Sequence, residues 1–274
     1  MKVISHSEIT TYLDCQKKWD LVYNKKIRIS SPHLTFGDMG HKVLLTRDIP
    51  DELLYPELKD YFGIKNWHKY FGVILSEIDE LLKDYDVLYR EEPVQNEELK
   101  GFIDIVLRHK ETKRYLLVDY KFSTGTKKFE ELFVDEQLYI YAYLFSEKHN
   151  ISLEDIDIGY LNISKSDIDY PRVLANGKLS KDKNQNTTYE LYVEKINELG
   201  LNIEDYSDVL EVFKNKKQTS LYSNSLNLDV LVRVLSNVDN VIKDMQKGYI
   251  LEKCSYQCTR CEFYERCKRR DGDL

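Results

Sequence analysis

Hydrophobic spacing divides the chain into stretches of two periods. Ser5 and Glu8 form an S-x-x-E capping box, after which Ile9, Tyr12 with Leu13, Gln16 and Trp19 recur at helical spacing. Residues 6–20 are therefore predicted as one helix that carries Cys15. A second helix is predicted at 36–47, and a long amphipathic one at 66–84 (WHKYFGVILSEIDELLKDY) that ends at a charged break. The period then changes: residues 86–94, 100–108 (KGFIDIVLR) and 114–122 (RYLLVDYKF) are rich in β-branched and aromatic residues, and the polar HKETK separates the last two. They are predicted as consecutive antiparallel strands. Helical spacing returns at 130–148, a further strand is predicted at 156–163 (IDIGYLNI), and helices are predicted near 203–215 and 226–247. The polar NGKLSKDKNQNTT at 176–188 is expected to be a hairpin tip or a mobile loop. No internal repeat and no Gly/Ser/Pro linker divides the chain. The pattern predicts a single α/β domain over 1–274, a central mixed sheet flanked by helices with a helical insertion at about 45–85.

Composition narrows the class. Hydrophobic residues make up 42% and charged residues 32%, with only 5 Pro and 11 Gly, which excludes disordered and collagen-like chains. The longest apolar runs fall far short of a membrane span and MKVISHSEIT has no apolar signal core, so a soluble cytoplasmic protein without membrane partners is expected. The net charge of -7, from 40 basic and 47 acidic residues, opposes a polyanion over the whole surface, so such a partner has to be met by a local patch or through metal ions. Of the 5 cysteines, Cys254, Cys258, Cys261 and Cys267 crowd the C-terminal end while Cys15 stands alone. An odd number, in a chain of this size with no export signal, fits a disulfide framework poorly and metal or cluster ligation better.

Candidate chemistry sits on the predicted strands. Asp119 and Lys121 are two apart and share a face, while Val118, Tyr120 and Phe122 point to the other. A hairpin centred on 109–113 sets Asp104 roughly opposite Val118 or Asp119. Two acids and a lysine then converge, which is what metal-dependent phosphodiester hydrolysis requires: carboxylates for Mg²⁺ or Mn²⁺, and a lysine to position or deprotonate the attacking water. Gln137 and Tyr141, four apart on a predicted helix, share a face from which they reach a phosphate or a base. An isolated D-x-K is common by chance and reads as a solvated ion pair. The ordered set weighs more: Gly37-Asp-Met-Gly-His41, Glu92, Gly101-Phe-Ile-Asp104, Asp119-Tyr-Lys121 and Gln137-Leu-Tyr-Ile-Tyr141.

That order of GxxxH, GxxD, DxK and QxxxY resembles the RecB-like branch of the PD-(D/E)XK nucleases over nearly the whole chain. The resemblance implies a restriction-endonuclease-like core, His41, Asp104 and Asp119 as metal ligands with the Tyr120 carbonyl as a further donor, Lys121 as the catalytic lysine, and Gln137 and Tyr141 as catalytic support facing DNA. The second acid is Asp and not the commoner Glu of the superfamily name, a choice that the branch tolerates. Cys258 and Cys261 form CxxC, Cys267 follows, and Cys15 supplies a fourth thiolate. Four thiolates suit tetrahedral zinc or a [4Fe-4S] cluster, and spacing does not choose. The split of one early and three late cysteines, with Tyr12, Cys15 and Trp19 in the pattern Y-x-x-C-x-x-x-aromatic, is similar to the iron-sulphur subset that includes the CRISPR-associated adaptation exonuclease and the AddB nuclease domain. There the cluster joins the chain ends. Cys254 is extra to that pattern; a zinc knuckle of the four late cysteines would leave Cys15 unexplained.

The expected protein is thus a Mg²⁺- or Mn²⁺-dependent DNA nuclease with a [4Fe-4S] cluster, an exonuclease on single-stranded ends serving recombination, repair, replication or CRISPR-type adaptation. No GxxxxGK[ST] occurs, so an ATP motor would come from a helicase or other DNA-processing partner. Lys268, Arg269 and Arg270, with Arg260 and Arg266, form a basic tail that is either solvated or in contact with phosphates. An inactive DNA-end-binding protein of the same fold and a zinc-stapled module are the alternatives; the intact His41, Asp104, Asp119 and Lys121 argue against the former.

Overall fold

The computed structural model describes residues 2–27, 31–51, 54–58, 63–64, 66–123, 129–248, 250, 258–259 and 261–268. The three successive β-patterned stretches form β2 (Tyr85–Gln95), β3 (Leu99–His109) and β4 (Tyr115–Ser123), joined by antiparallel ladders. β5 (Ile156–Ser164) pairs parallel to β4 after a helical crossover. β6 (Thr219–Ser225), whose TSLYSNS sequence has too few apolar positions to announce a strand, adds antiparallel to β5. A two-residue β1 (Ile4–Ser5) runs parallel to the start of β3. The expected mixed sheet flanked by helices is therefore present, with order β1-β3-β4-β5-β6 and β2 on the other edge of β3.

Helices bury apolar stripes on both faces. α1 (His6–Asp14), α5 (Glu136–His149) and α8 (Leu228–Gln246) enclose one cluster with Leu117, Ile158 and Tyr160 of the sheet. α3 (Pro32–Thr46) and α4 (Trp67–Leu81) enclose a second with Leu116, Val118 and Leu161. Each fully buried side chain of this size contributes about 1.5–3 kcal/mol, so both layers hold the sheet firmly. A smaller cluster joins α6 (Tyr189–Glu198) to α7 (Ser207–Lys214). None of the described helices is long and apolar enough to cross a membrane.

Two sequence expectations need correction. The helix expected over 6–20 breaks at Cys15, which is extended (φ -160°, ψ 109°) and caps α2 (Gln16–Trp19) by accepting the Lys18 amide on Sγ at 3.4 Å. The thiol offers the backbone a local partner that competes with helix continuation. The stretch 176–188 does start at a hairpin tip, with Val173 bridged to Leu179 and Leu174 N donating to the Lys178 carbonyl at 2.8 Å, but it is no free loop beyond it: Leu179, Ser180, Thr187 and Thr188 are buried, and the Ser180 carbonyl accepts from Tyr192 Oη at 2.9 Å and Gln185 Nε2 at 2.8 Å. Side-chain donors here satisfy an irregular backbone, which polarity alone does not reveal.

Candidate active site

The site begins with a gap in the sheet. β2 pairs with β3 from Lys100 to His109 along one edge, while on the other edge β4 pairs only with Ile105–Arg108 and β1 only with Leu99 and Lys100. Gly101 to Asp104 face the opening between them. β4 leaves β3 after Val118 yet stays paired to β5 through Ser123, so the two strands diverge at Asp104. Asp104 Oδ2 then accepts the Tyr120 amide at 2.6 Å, replacing a ladder bond with a side-chain bond. Side-chain alternation inverts at the same point: Ile103 packs in the cluster of α5, whereas Ile105 and Leu107 pack in that of α3 and α4. Opposite the divergence, on β2, Glu91 adopts φ +50°, a left-handed conformation that costs a non-glycine residue roughly 1 kcal/mol or more.

Two acid–base pairs meet in this opening. His41, from α3, places Nδ1 3.1 Å from Asp104 Oδ1. Lys121 Nζ lies 2.5 Å from Asp119 Oδ2, and Gln137 Nε2 from α5 donates to Asp119 Oδ1 at 2.9 Å and to Tyr141 Oη at 3.3 Å. Burial pushes the Asp119 carboxyl up to about 6; Lys121 opposes the rise, and the charges of Asp104 and Asp135 add to it. Burial lowers Lys121 and His41, but neighbouring acids outweigh it: Asp119, Asp135 and Asp104 raise the lysine, and Asp104, Asp119 and Glu91 raise the imidazole. A cavity of about 350 Å³, lined by His41, Tyr120 and Lys121, opens onto these groups.

Glycines in the motifs act by close approach. A Cβ on Gly101 would lie 2.2 Å from the Tyr141 ring, and one on Gly40 would lie 2.5 Å from the Phe122 ring, whereas Gly37 has nothing within 4 Å. Gly101 thus lets the helix bearing Gln137 and Tyr141 seat against β3, and in the GxxxH stretch the required glycine is Gly40.

The structure brings together His41, Asp104, Asp119, Lys121, Gln137 and Tyr141, with the Tyr120 peptide held at Asp104. Glu92 is not among them: it is buried against Lys148 Nζ (2.7 Å) and His149 Nε2 (2.8 Å) at the far end of α5. Three groups escaped the sequence patterns. Glu91 reaches the site because the strand alternation inverts, for which its neighbours give no signal. Asp135 caps α5, accepting from Leu138 N at 3.1 Å and from Tyr160 Oη, and its place two residues before Gln137 was the available cue. His6, just after Ser5 of the capping box, sits where β1 meets the gap; burial lowers it, Asp135 opposes this and Lys121 reinforces it.

The donor set of two carboxylates and an imidazole fits a hard divalent cation. The buried Asp119 Oδ2 is met by the Lys121 ammonium at 2.5 Å, beside the cavity that Lys121 lines. Among the described residues, however, no three His, Cys, Asp or Glu side chains form a ready-made metal cage, either here or at the cysteines. Cys15, Cys258, Cys261 and Cys267 share one locality and form no disulfide: burial raises the Cys267 thiol, and Cys261, Cys15 and Cys258 raise it further. Lys18 Nζ meets Glu262 at 2.9 Å, linking the N-terminal segment to the turn that precedes the short tail helix α9 (Tyr264–Lys268). Cys254, Arg260, Arg269, Arg270 and the side chains of Arg266 and Lys268 lie outside the described residues.

No curated protein matches this chain in sequence. A family model does, over residues 3–268, and it spans the gap, both acid–base pairs and the helix behind them. The chain belongs to the PD-(D/E)XK nuclease superfamily, and phosphodiester hydrolysis is the chemistry that membership implies.

Proposed function

We propose that the chain is a Mg²⁺- or Mn²⁺-dependent deoxyribonuclease of the RecB-like branch, acting as an exonuclease on single-stranded ends. The observation that carries this reading is the convergence of His41, Asp104, Asp119 and Lys121 at the divergence of β3 and β4. Asp104, Asp119 and His41 would hold the ion, with the Tyr120 carbonyl as a further donor. When bound, the ion supplies Lewis-acid stabilisation of charge developing on the phosphoryl oxygens. Lys121 orients the attacking water and offsets phosphate charge, while Gln137 fixes the rotamer of Asp119 from behind. Tyr141 holds Gln137 in turn, and both face the DNA. The test is cleavage of linear single strands against end-blocked circles, with Mn²⁺ and with a chelator. Loss of linear strands alone, only with metal, is expected; equal loss of circles would make the enzyme an endonuclease, and cleavage in chelator would remove the metal from the reaction.

Cys15, Cys258, Cys261 and Cys267 would hold a [4Fe-4S] cluster that ties the chain ends. Support comes from the shared locality of the thiols and the Lys18–Glu262 contact. Joining residues so distant in sequence removes much entropy from the unfolded chain, so the cluster serves stability. Anaerobically purified Cys15→Ala should lack iron and sulphide, and Cys254→Ala should retain both; the reverse would assign the ligands to the four late cysteines. Lys268, Arg269 and Arg270 would contact phosphates near the DNA entrance, so neutralising them should flatten the salt dependence of binding. A motor, where the pathway needs one, would be a helicase partner.

A further inference from the structure

The catalytic face of β4 continues sideways. Parallel register sets Lys121 beside Asn162 of β5, and antiparallel register sets Asn162 beside Ser220 of β6; one step along, Asp119, Tyr160 and Tyr222 form a second row. Residues directly paired across strands share a face, so Asn162, Ser220 and Tyr222 extend the surface on which Asp119 and Lys121 lie. Over this extension is a cavity of about 320 Å³, with Ser123 as the residue it shares with the cavity at His41. It lies at the carboxyl ends of the parallel strands β4 and β5, where open α/β sheets take ligands.

Its walls are neutral. Asn162 and Gln218 are buried amides, at 4% and 7% exposure, and Ser220 and Tyr222 complete the lining. Ser164 Oγ, Ser166 Oγ and Gln218 Oε1 form a hydrogen-bonded chain along the back, at 2.7 Å and 3.2 Å, which fixes donors and acceptors in place. The lining cation, Lys217, is met by Glu190 at 3.4 Å. Amides and hydroxyls can serve a phosphate or a base, but a lining with an aromatic ring and with its lysine already paired suits a base and a sugar better than a phosphate, whose contacts are led by unpaired Arg and Lys. Two strand spacings put Ser220 about 10 Å from Lys121, within reach of the nucleotide next to the cleaved bond.

We propose that this groove binds the base and sugar of one unpaired nucleotide adjoining the scissile phosphate, so that the substrate must be single-stranded there. This rests on the nuclease reading above. It is tested first by binding, which needs no turnover: a fluorescent single-stranded octanucleotide is titrated into the full chain with Ca²⁺, alongside the same strand with one abasic residue stepped through each position. One abasic position should weaken binding by about ten-fold, the scale of losing one stacked and bonded base. Ser220→Phe, which fills the groove, should bind the intact strand that much more weakly and be indifferent to the abasic residue. Loss below twofold at every position, or an unchanged abasic penalty in Ser220→Phe, overturns the proposal. Asn162→Leu, of similar volume but without the amide, provides the same comparison if Ser220→Phe does not fold. Absence of metal-dependent cleavage with a position-specific binding penalty would defeat the nuclease reading and leave the groove standing.

Discussion

Two buried carboxylates, one on β4 and one on β2 with β3 between them, behave oppositely. Asp119 is 7% exposed and Glu92 is 8%, and each lies against a lysine, at 2.5 Å and 2.7 Å. Burial raises both, but Asp119 lies far deeper among protein atoms: there burial is the largest cause and, with the charges of Asp104 and Asp135 added, holds the carboxyl well above the ordinary range against Lys121, whereas at Glu92 Lys148 and His149 outweigh it and hold the carboxyl below. Residue type and surface exposure therefore do not distinguish a structural ion pair from an active site; depth of burial together with the completeness of the surrounding charge does. The network at Glu92 is satisfied by the protein alone, and the one at Asp119 is left short of positive charge.

The contrast can be broken from the active-site side. Lys121→Ala should reduce single-turnover cleavage by about 10²-fold or more, since transition-state charge loses a preorganised partner. Cleavage within fivefold of wild type would place Lys121 outside the reaction. Gly101→Ala drives a methyl into the Tyr141 ring and should cost about 1–3 kcal/mol in urea denaturation. It should also slow cleavage, because Tyr141 holds Gln137 and Gln137 holds Asp119. Unchanged stability would show that α5 can retreat freely from β3.

From the structural side, Glu92→Gln should cost about 1–2 kcal/mol at neutral pH by weakening two charged hydrogen bonds. The sign of its pH dependence follows from the depressed folded-state pKa. Stability from an ionised Glu92 is present above the unfolded value of 4.5 and is lost as pH falls below it through the folded value. The deficit of Glu92→Gln should accordingly shrink below pH 4.5, as read from denaturation midpoints of both proteins; a deficit independent of pH would mean that shape, not charge, matters there.

Much of this was legible in the sequence. Enrichment in β-branched and aromatic residues marked β2, β3 and β4, and the two-residue offset put Asp119 and Lys121 on one face of β4. β6 was hidden because its residues serve a polar groove and not a core. Glu91 was hidden for a different reason: alternation predicts side-chain direction only in a regular ladder, and here the ladder parts at Asp104. The break at Cys15 and the folding of 176–188 depend on local side-chain-to-backbone bonds that periodicity does not encode.

The most direct test of the account is parallel single-turnover cleavage of one linear single strand with Mn²⁺ by wild type, Asp119→Ala and Glu92→Gln. The account predicts a loss of about 10²-fold or more for Asp119→Ala and a rate within twofold of wild type for Glu92→Gln. Wild-type cleavage by Asp119→Ala, or an equal loss in both variants, would contradict it.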